Sequence, residues 1–276
     1  MTQAATALIG GTGYLGSRIA AAVPQPLLVP DDVARAEPDT LRRYLTALQP
    51  ATIINAAGLV RGAGDDLWAA NAVLPATAAA AANDVGAHLI HVGSAAEYGF
   101  HPEVERYGED LTPQPVGSYG QSKAAGTESA LTAASVTVFR LFNLATNPTR
   151  PGTPLDDVAG RLHAAVRERT DVQLYAPHTV RDWVVPEFLV TSVVHAVANR
   201  PLGLWNVCSG VGVSFHDAVR AALRHLGVTA DILAESADAT RVVGDPTRWT
   251  ATSGLQTAMS AETLGRLLAD NRVPKE

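Results

Sequence analysis

Lysine is almost missing from this chain. Of its 276 residues 19 are arginine and two are lysine, Lys123 and Lys275. Lys275 is penultimate and expected in a frayed tail, so the body holds one lysine in a sequence that otherwise uses arginine for positive charge. Cysteine is nearly absent too. The single Cys208 excludes an internal disulfide, and no Cys/His cluster has the spacing of a zinc site, so no metal is expected. His88 and His91, three apart on an expected strand, point to opposite faces and read as ordinary histidines. There is no basic run, and with a net charge of −6 neither nucleic acid nor an anionic membrane is expected as the main partner. No apolar stretch reaches the roughly 18 unbroken residues of a membrane span. Met1–Ile9 lacks a basic leader and runs straight into glycines, so it does not read as a signal peptide. A soluble, cytoplasmic protein is expected.

Hydrophobic residues make up 47% and charged ones 17%, which excludes the disordered class and permits a large core. The length suits one domain or a core with a small appended lobe. Short apolar runs alternate with helical segments: strands at Thr6–Ile9, Leu27–Val29, Thr52–Asn55, His88–Val92 and Val136–Leu141, and helices at Tyr14–Ala22, Asp39–Leu48, Asp65–Asn83 and Ser118–Ala134. This rhythm predicts an α/β, doubly wound parallel sheet of the Rossmann kind. After Leu141 the rhythm loosens at Pro148, Pro151 and Pro154. Helices at 155–169, 186–198 and 214–226 and short strands at 172–174 and 204–207 then suggest a smaller C-terminal lobe. The expected division is a dinucleotide-binding domain over 1–145 and a mainly substrate-binding lobe over 146–276, interleaved with the last strands of the main sheet. The abundant alanine reads as compositional.

Gly10-Gly11-Thr12-Gly13-Tyr14-Leu15-Gly16 sits between the first strand and the first helix. Gly10 permits a tight turn, Gly13 lets backbone approach a pyrophosphate, and Gly16 lets helix pack closely on strand. The helix N-terminus offers free N–H groups and partial positive charge to phosphates. NAD(P)H is therefore the expected cofactor. Asp31, at the end of the second strand with Asp32 beside it, suits the 2′-OH of NAD and would repel the 2′-phosphate of NADP. Arg18 and Arg35 are near enough in sequence to clamp that phosphate, so both cofactors stay open.

Tyr119 and Lys123 stand at i and i+4, on one face of a helix. A cation beside a phenol stabilises the phenolate and lowers its pKa, so Tyr119 could exchange a proton with a substrate oxygen while hydride moves. An ammonium has three donors and can also reach the cofactor ribose, which explains a lysine in an arginine-rich background. Ser94 follows the fourth strand, at the carboxyl edge where such sheets bind ligands, and its hydroxyl could hold the reacting oxygen.

Gly10-x-x-Gly13-x-x-Gly16, Asn55-Ala56-Ala57-Gly58, Gly93-Ser94-Ala95-Ala96-Glu97-Tyr98-Gly99, Tyr119-x-x-x-Lys123 and Arg181-Asp182-Trp183-Val184 together resemble the extended short-chain dehydrogenase/reductases over about residues 4–250. The resemblance implies that Ser94, Tyr119 and Lys123 are catalytic. It puts Gly10, Thr12, Gly13, Tyr14, Leu15, Gly16, Asp31 and Asn55 to Gly58 around the cofactor, and makes Asn71 the helix asparagine that supports the active-site strands. Asn143 would touch substrate, and Arg181 would bind the diphosphate of a nucleotide sugar. Arg241 resembles a second diphosphate arginine, although its spacing to Gly244-Asp245 is off by one. Sugar dehydratases of the family carry an Asp-Glu pair directly after the active-site Ser or Thr. Ala95 and Ala96 stand there in this chain and Glu97 comes too late, which argues against dehydration. The short region 22–52 and the segments 203–207 and 214–217 resemble the dTDP-4-dehydrorhamnose reductases and the segment 93–99 the GDP-4-keto-6-deoxymannose reductases, both nucleotide-sugar 4-ketoreductases. An NAD(P)H-dependent reduction of a 4-keto-6-deoxysugar is therefore expected, with an epimerase holding NAD tightly as the alternative. A non-catalytic cofactor sensor is the remaining reading, disfavoured because Tyr119 and Lys123 are both present. Homodimers are common in such proteins. Ala124, Ala125 and Gly126 would allow close helix contact between copies, or equally inside one copy.

Overall fold

The computed structural model describes residues 5–271; Met1 and Lys275 lie outside them. The first half of the chain builds β1 (Thr6–Ile9), α1 (Tyr14–Ala22), β2 (Leu27–Leu28), α2 (Asp31–Ala34), α3 (Pro38–Leu48) and β3 (Thr52–Asn55). There follow α4 (Gly64–Trp68), a π-helical turn at Ala69–Val73, α5 (Leu74–Val85), β4 (His88–Ser94), a 3-10 turn at Ala95–Glu97, α6 (Gly117–Ala130) and β5 (Val136–Leu141). The second half contributes β6 (Asn143–Leu144), α7 (Pro154–Glu168), β7 (Val172–Leu174), β8 (Val180–Val184), α8 (Pro186–Asn199), β9 (Gly203–Val207), β10 (Gly212–Ser214), α9 (Phe215–Leu226), β11 (Ile232–Ala234), β12 (Arg241–Val242), α10 (Thr247–Ser253) and α11 (Ala261–Ala269).

The main sheet runs β2-β1-β3-β4-β5-β9, parallel throughout. This is the Rossmann-like α/β fold. Its inner strands are apolar almost without a break, as a sheet covered on both faces requires. Alternation along β1 sends Ala7 and Ile9 into one core with Leu41, Leu45 and Leu89, and Leu8 into another with Ile54, Ile90 and Phe139. The first layer holds α3 and α5, and the second holds α1 and α8. The chain leaves β1 for β2 on one side and returns to β3 on the other, so a crevice opens at the carboxyl ends of β1 and β3.

The alanines of α5 are more than composition. Ala78, Ala79, Ala81 and Ala82 are all buried, and their small side chains let the helix lie close on the sheet and on α3. The expected helix 65–83 contains the π-helical turn, which carries Asn71. The expected helix 118–134 ends at Ala130, and Gly126 packs inside this one chain, where an added Cβ would stand 1.9 Å from the Asn71 carbonyl oxygen.

Beyond β5 the chain alternates between two bodies. α8 and β9 join the main sheet, whereas α7, α9 and α11 form a separate core with β7 and β8 residues. There β8 lies between β10 and β12 and also pairs with β6. Strands β6, β8 and β10 to β12 are not read from the sequence; they are short and, as at Arg181-Asp182 of β8 and Arg241 of β12, broken by charged residues, so they lack the apolar run that marks β1 and β3. Among the described residues no helix is long and apolar enough to cross a membrane.

His88 and His91 are fully buried and serve the sheet. His88 contacts the Ser135 and Thr137 hydroxyls at 2.8 and 2.9 Å, and His91 Nδ1 lies 3.3 Å from Asn55 Nδ2. Burial pulls His88 down to about 4 and His91 well below its ordinary value. An unfolded histidine takes up a proton as the pH falls through about 6.5, whereas these stay neutral. Stability is therefore expected to fall from pH 6.5 towards 4, and His88→Gln to flatten that slope in urea unfolding followed across pH. Gly16 is the sharpest steric constraint of the first turn, since a Cβ there would fall 1.8 Å from the Gly10 carbonyl oxygen. Gly16→Ala is expected to cost about 1–3 kcal/mol, read from the urea midpoint.

Candidate active site

A cleft of about 1460 Å³ opens over the carboxyl ends of β1, β3 and β4 and continues to β8 and the strand-end residue Thr240. Its floor is the glycine turn. Gly10 has φ +79°, and a Cβ there would sit 2.7 Å from the Ala57 backbone nitrogen. Gly13, the N-cap of α1, has no side chain to cap the helix, and the first turn carries no acid. The first N–H groups of α1 therefore face the cleft with their partial positive charge. Across the turn Thr12 Oγ1 donates to both oxygens of Asp31 at 2.8 and 3.0 Å, which fixes the carboxylate at the rim. Arg35 lines the same end, and Asp32 does not. A dinucleotide fits these residues: bare backbone and an uncapped helix for its phosphates, a fixed carboxylate for a ribose.

Asn55 supports the turn after β3 from below. It is fully buried, and its Oδ1 accepts the Ala57 N–H at 3.2 Å, leaving Ala56, Ala57 and Gly58 on the cleft wall. Asn71 trades two hydrogen bonds with the Leu59 backbone, at 2.9 and 2.8 Å, and donates to Ser122 Oγ at 3.1 Å. It thereby ties the turn after β3 to α6, one residue from Lys123.

Ser94, Tyr119 and Lys123 meet on the wall opposite the glycine turn. Tyr119 Oη donates to Ser94 Oγ at 3.3 Å, and Lys123 Nζ donates to the Val92 carbonyl at 2.7 Å. Burial pushes the Tyr119 phenol above its ordinary value, against the Ser94 hydrogen bond and the charge of Arg150. The neighbouring ammonium alone would lower it. Desolvation is the larger effect in this cleft, so the phenol is held protonated. Burial also pulls Lys123 down to about 8, with Glu97 opposing.

A model of the NAD dependent epimerase/dehydratase family matches residues 7–208. The chain belongs to this family. It is thus an NAD(P)-dependent enzyme of the extended short-chain dehydrogenase/reductase type. The dTDP-6-deoxy-L-talose 4-dehydrogenase (NAD(P)(+)) of Kitasatospora kifunensis is 30% identical over 259 residues, covering 83% of this chain and 81% of that protein. Among solved structures, the Bordetella bronchiseptica enzyme WbmG in complex with NAD and UDP superposes with a TM-score of 0.80 at 22% identity, over 96% of this chain and 94% of that one. RMD from Pseudomonas aeruginosa, complexed with NADPH, gives 0.78 at 20% identity, over 96% and 98%.

Within the family member described here, Gly10, Thr12, Gly13, Tyr14, Leu15, Asp31 and Asn71 line the cleft, as do Asn143 and Arg181. Gly16 and Asn55 lie beneath the wall. Arg241 is not brought in. It is exposed on β12, turned towards Gly212 of β10, while its neighbours Thr240 and Val242 line the cleft. Arg181 donates to the carbonyls of Val180 and Thr240 at 2.9 and 3.0 Å and to Thr240 Oγ1 at 2.8 Å. Asn143 Nδ2 donates to the Asp182 carbonyl at 3.0 Å.

Three residues around the cleft had no role assigned from the sequence. Arg150, from the segment before α7, lines the cleft with its guanidinium 4.9 Å from the Tyr14 ring centroid. Asp182, fully buried, accepts the N–H groups of Ser209, Gly210 and Gly244 at 2.7, 2.8 and 3.2 Å and so gathers two loops behind Arg181. Glu97, which looked too late for chemistry, is fully buried and bonded to Arg140 Nε at 2.8 Å. Its signal was a lone carboxylate in an apolar stretch. Glu97→Ala leaves Arg140 buried without its partner and is expected to cost about 3–5 kcal/mol in denaturant unfolding.

Proposed function

We propose that this protein reduces the 4-keto group of a nucleotide-activated 4-keto-6-deoxysugar with NAD(P)H. The observation that carries the reading is the Tyr119 phenol hydrogen-bonded to Ser94 beside Lys123, all three on one cleft wall. The nicotinamide, when bound, supplies the hydride. Tyr119 holds a proton at Oη and gives it to the oxygen that gains charge as the carbonyl is reduced. Ser94 donates its hydroxyl hydrogen to the same oxygen, and Lys123 offers positive charge below it. Ala95 and Ala96 leave no acid pair for eliminating a 6-hydroxyl. Arg181 and Asn143 stand at the far end of the cleft, where a fork of N–H donors suits a diphosphate. The relative from Kitasatospora kifunensis is named for the same redox step at carbon 4 of a deoxysugar, written in the oxidative direction.

The test is nicotinamide absorbance with a panel of dTDP- and GDP-linked 4-keto-6-deoxysugars, with NADH and NADPH in parallel. Consumption of the reduced cofactor in step with the keto-sugar is the expected outcome. Protein that retains NAD and interconverts sugars without added reductant would instead make it an epimerase. Tyr119→Phe is expected to bind cofactor as before and lose about 10²–10³ in kcat, on the scale of a lost oxyanion donor. Lys123 gives up its proton near pH 8, so kcat/KM is expected to fall as the pH rises through about 8.

A further inference from the structure

The carboxyl end of β4 is gripped from two sides. Lys123 Nζ donates to the carbonyl of Val92 at 2.7 Å, and the amide of Ser94 donates to Glu97 Oε1 at 2.7 Å. Gly93 lies between these two bonds. A Cβ there would fall 2.6 Å from Glu97 Oε1 and 2.9 Å from Thr127 Oγ1, so carboxylate and strand meet only because the residue is glycine. Thr127 stands four residues after Lys123, on the same face of α6, and donates to that same Oε1 at 2.9 Å. The other oxygen, Oε2, accepts Arg140 Nε at 2.8 Å from β5. One side chain therefore joins the backbone of Ser94, the helix that carries Tyr119 and Lys123, and the neighbouring strand.

Its charge matters as much as its reach. Burial raises the Glu97 carboxyl above its ordinary value, against the pull of Arg140, Lys123 and the Ser94 amide; because that amide and the Arg140 guanidinium can only donate, the ionised carboxylate is the form that satisfies them. Lys123 is 5% exposed, and its one hydrogen bond is to a neutral carbonyl. The titratable groups that act on it or stand beside it are His91 of β4, kept neutral by burial, Tyr119 one turn earlier on α6, kept protonated, and Glu97. Glu97 is the one carboxylate in that set.

We propose that Glu97 is a positioning residue for this site: its carboxylate fixes the main chain of Ser94 and balances the charge of Lys123, so that hydroxyl, phenol and ammonium converge in the cleft. The proposal rests on the reading of Ser94, Tyr119 and Lys123 as the reacting set, but its electrostatic half can be read without turnover.

The chain has two lysines, so labelling with ¹³Cε-lysine gives two resonances, and Lys275→Arg identifies that of Lys123. In the wild type Lys123 is expected to titrate near pH 8. In Glu97→Gln, which keeps the shape and removes the charge, it is expected to titrate about one pH unit lower or more. That variant strands Arg140, so the pair is also removed together in E97Q/R140M, an exchange that buried ion pairs tolerate. There a smaller drop of the same sign is expected, with the urea midpoint showing that the protein is folded. In both variants kcat for the keto-sugar is expected to fall more than about tenfold while KM stays within about twofold, the pattern of an interaction used in the transition state. A Lys123 titration that does not move in the folded double variant, or a kcat that does not fall beside one that does, overturns the proposal. A wild-type protein that reduces no keto-sugar overturns the reductase reading instead, and the resonance then decides alone.

Discussion

A buried carboxylate holds the working end of the sheet together. Glu97 is shut away from water, where an isolated charge is costly, and it is stable there because the Ser94 amide, the Thr127 hydroxyl and Arg140 Nε all donate to it. β4 can end in a glycine and a serine, α6 can lie directly on that end, and β5 can place an arginine inside the protein because this one group accepts from all three. Arg140 in turn lies 4.5 Å above the Tyr98 ring, whose hydroxyl reaches Asn206 of β9 at 2.8 Å. The order of the strands β4-β5-β9 is thus reinforced by a chain of polar contacts running beneath the cleft.

The same geometry separates two demands on the cleft. At one end, phosphates need bare backbone and an uncapped helix, which the fold supplies by removing the side chain at Gly13. At the other end, Ser94, Tyr119 and Lys123 are held at fixed positions by crowding, with Gly126 against the Asn71 carbonyl and Gly93 against Glu97. Glycine serves both ends for opposite reasons: openness to a ligand at the first, closeness of protein to protein at the second.

The legible parts of the sequence were those governed by short-range geometry. The turn 10–16 could be read because its three glycines each answer a steric demand within a few residues. Tyr119 and Lys123 could be read because a helix places i and i+4 together whatever surrounds it. The main strands showed as apolar runs because both faces of the sheet are covered. What stayed hidden depends on distant neighbours. The lowered phenol pKa expected from Lys123 was reversed by burial, a property of the whole cleft. Arg241 matched a pattern but sits on a two-residue strand whose facing is decided by its pairing with β8. Asp182 gained its meaning only when the loops carrying Ser209, Gly210 and Gly244 closed on it, and Glu97 only when α6 and β5 packed against it.

The scarcity of lysine also has a chemical consequence. Among residues 5–271 Lys123 carries the single side-chain amine, and it is 5% exposed and bonded to a strand carbonyl. Acylating or cross-linking reagents that modify most proteins at many points would find almost nothing to react with on the folded surface of this one. Loss of activity under such a reagent would therefore report access to the cleft, and protection by a bound molecule would report occupancy of the site itself.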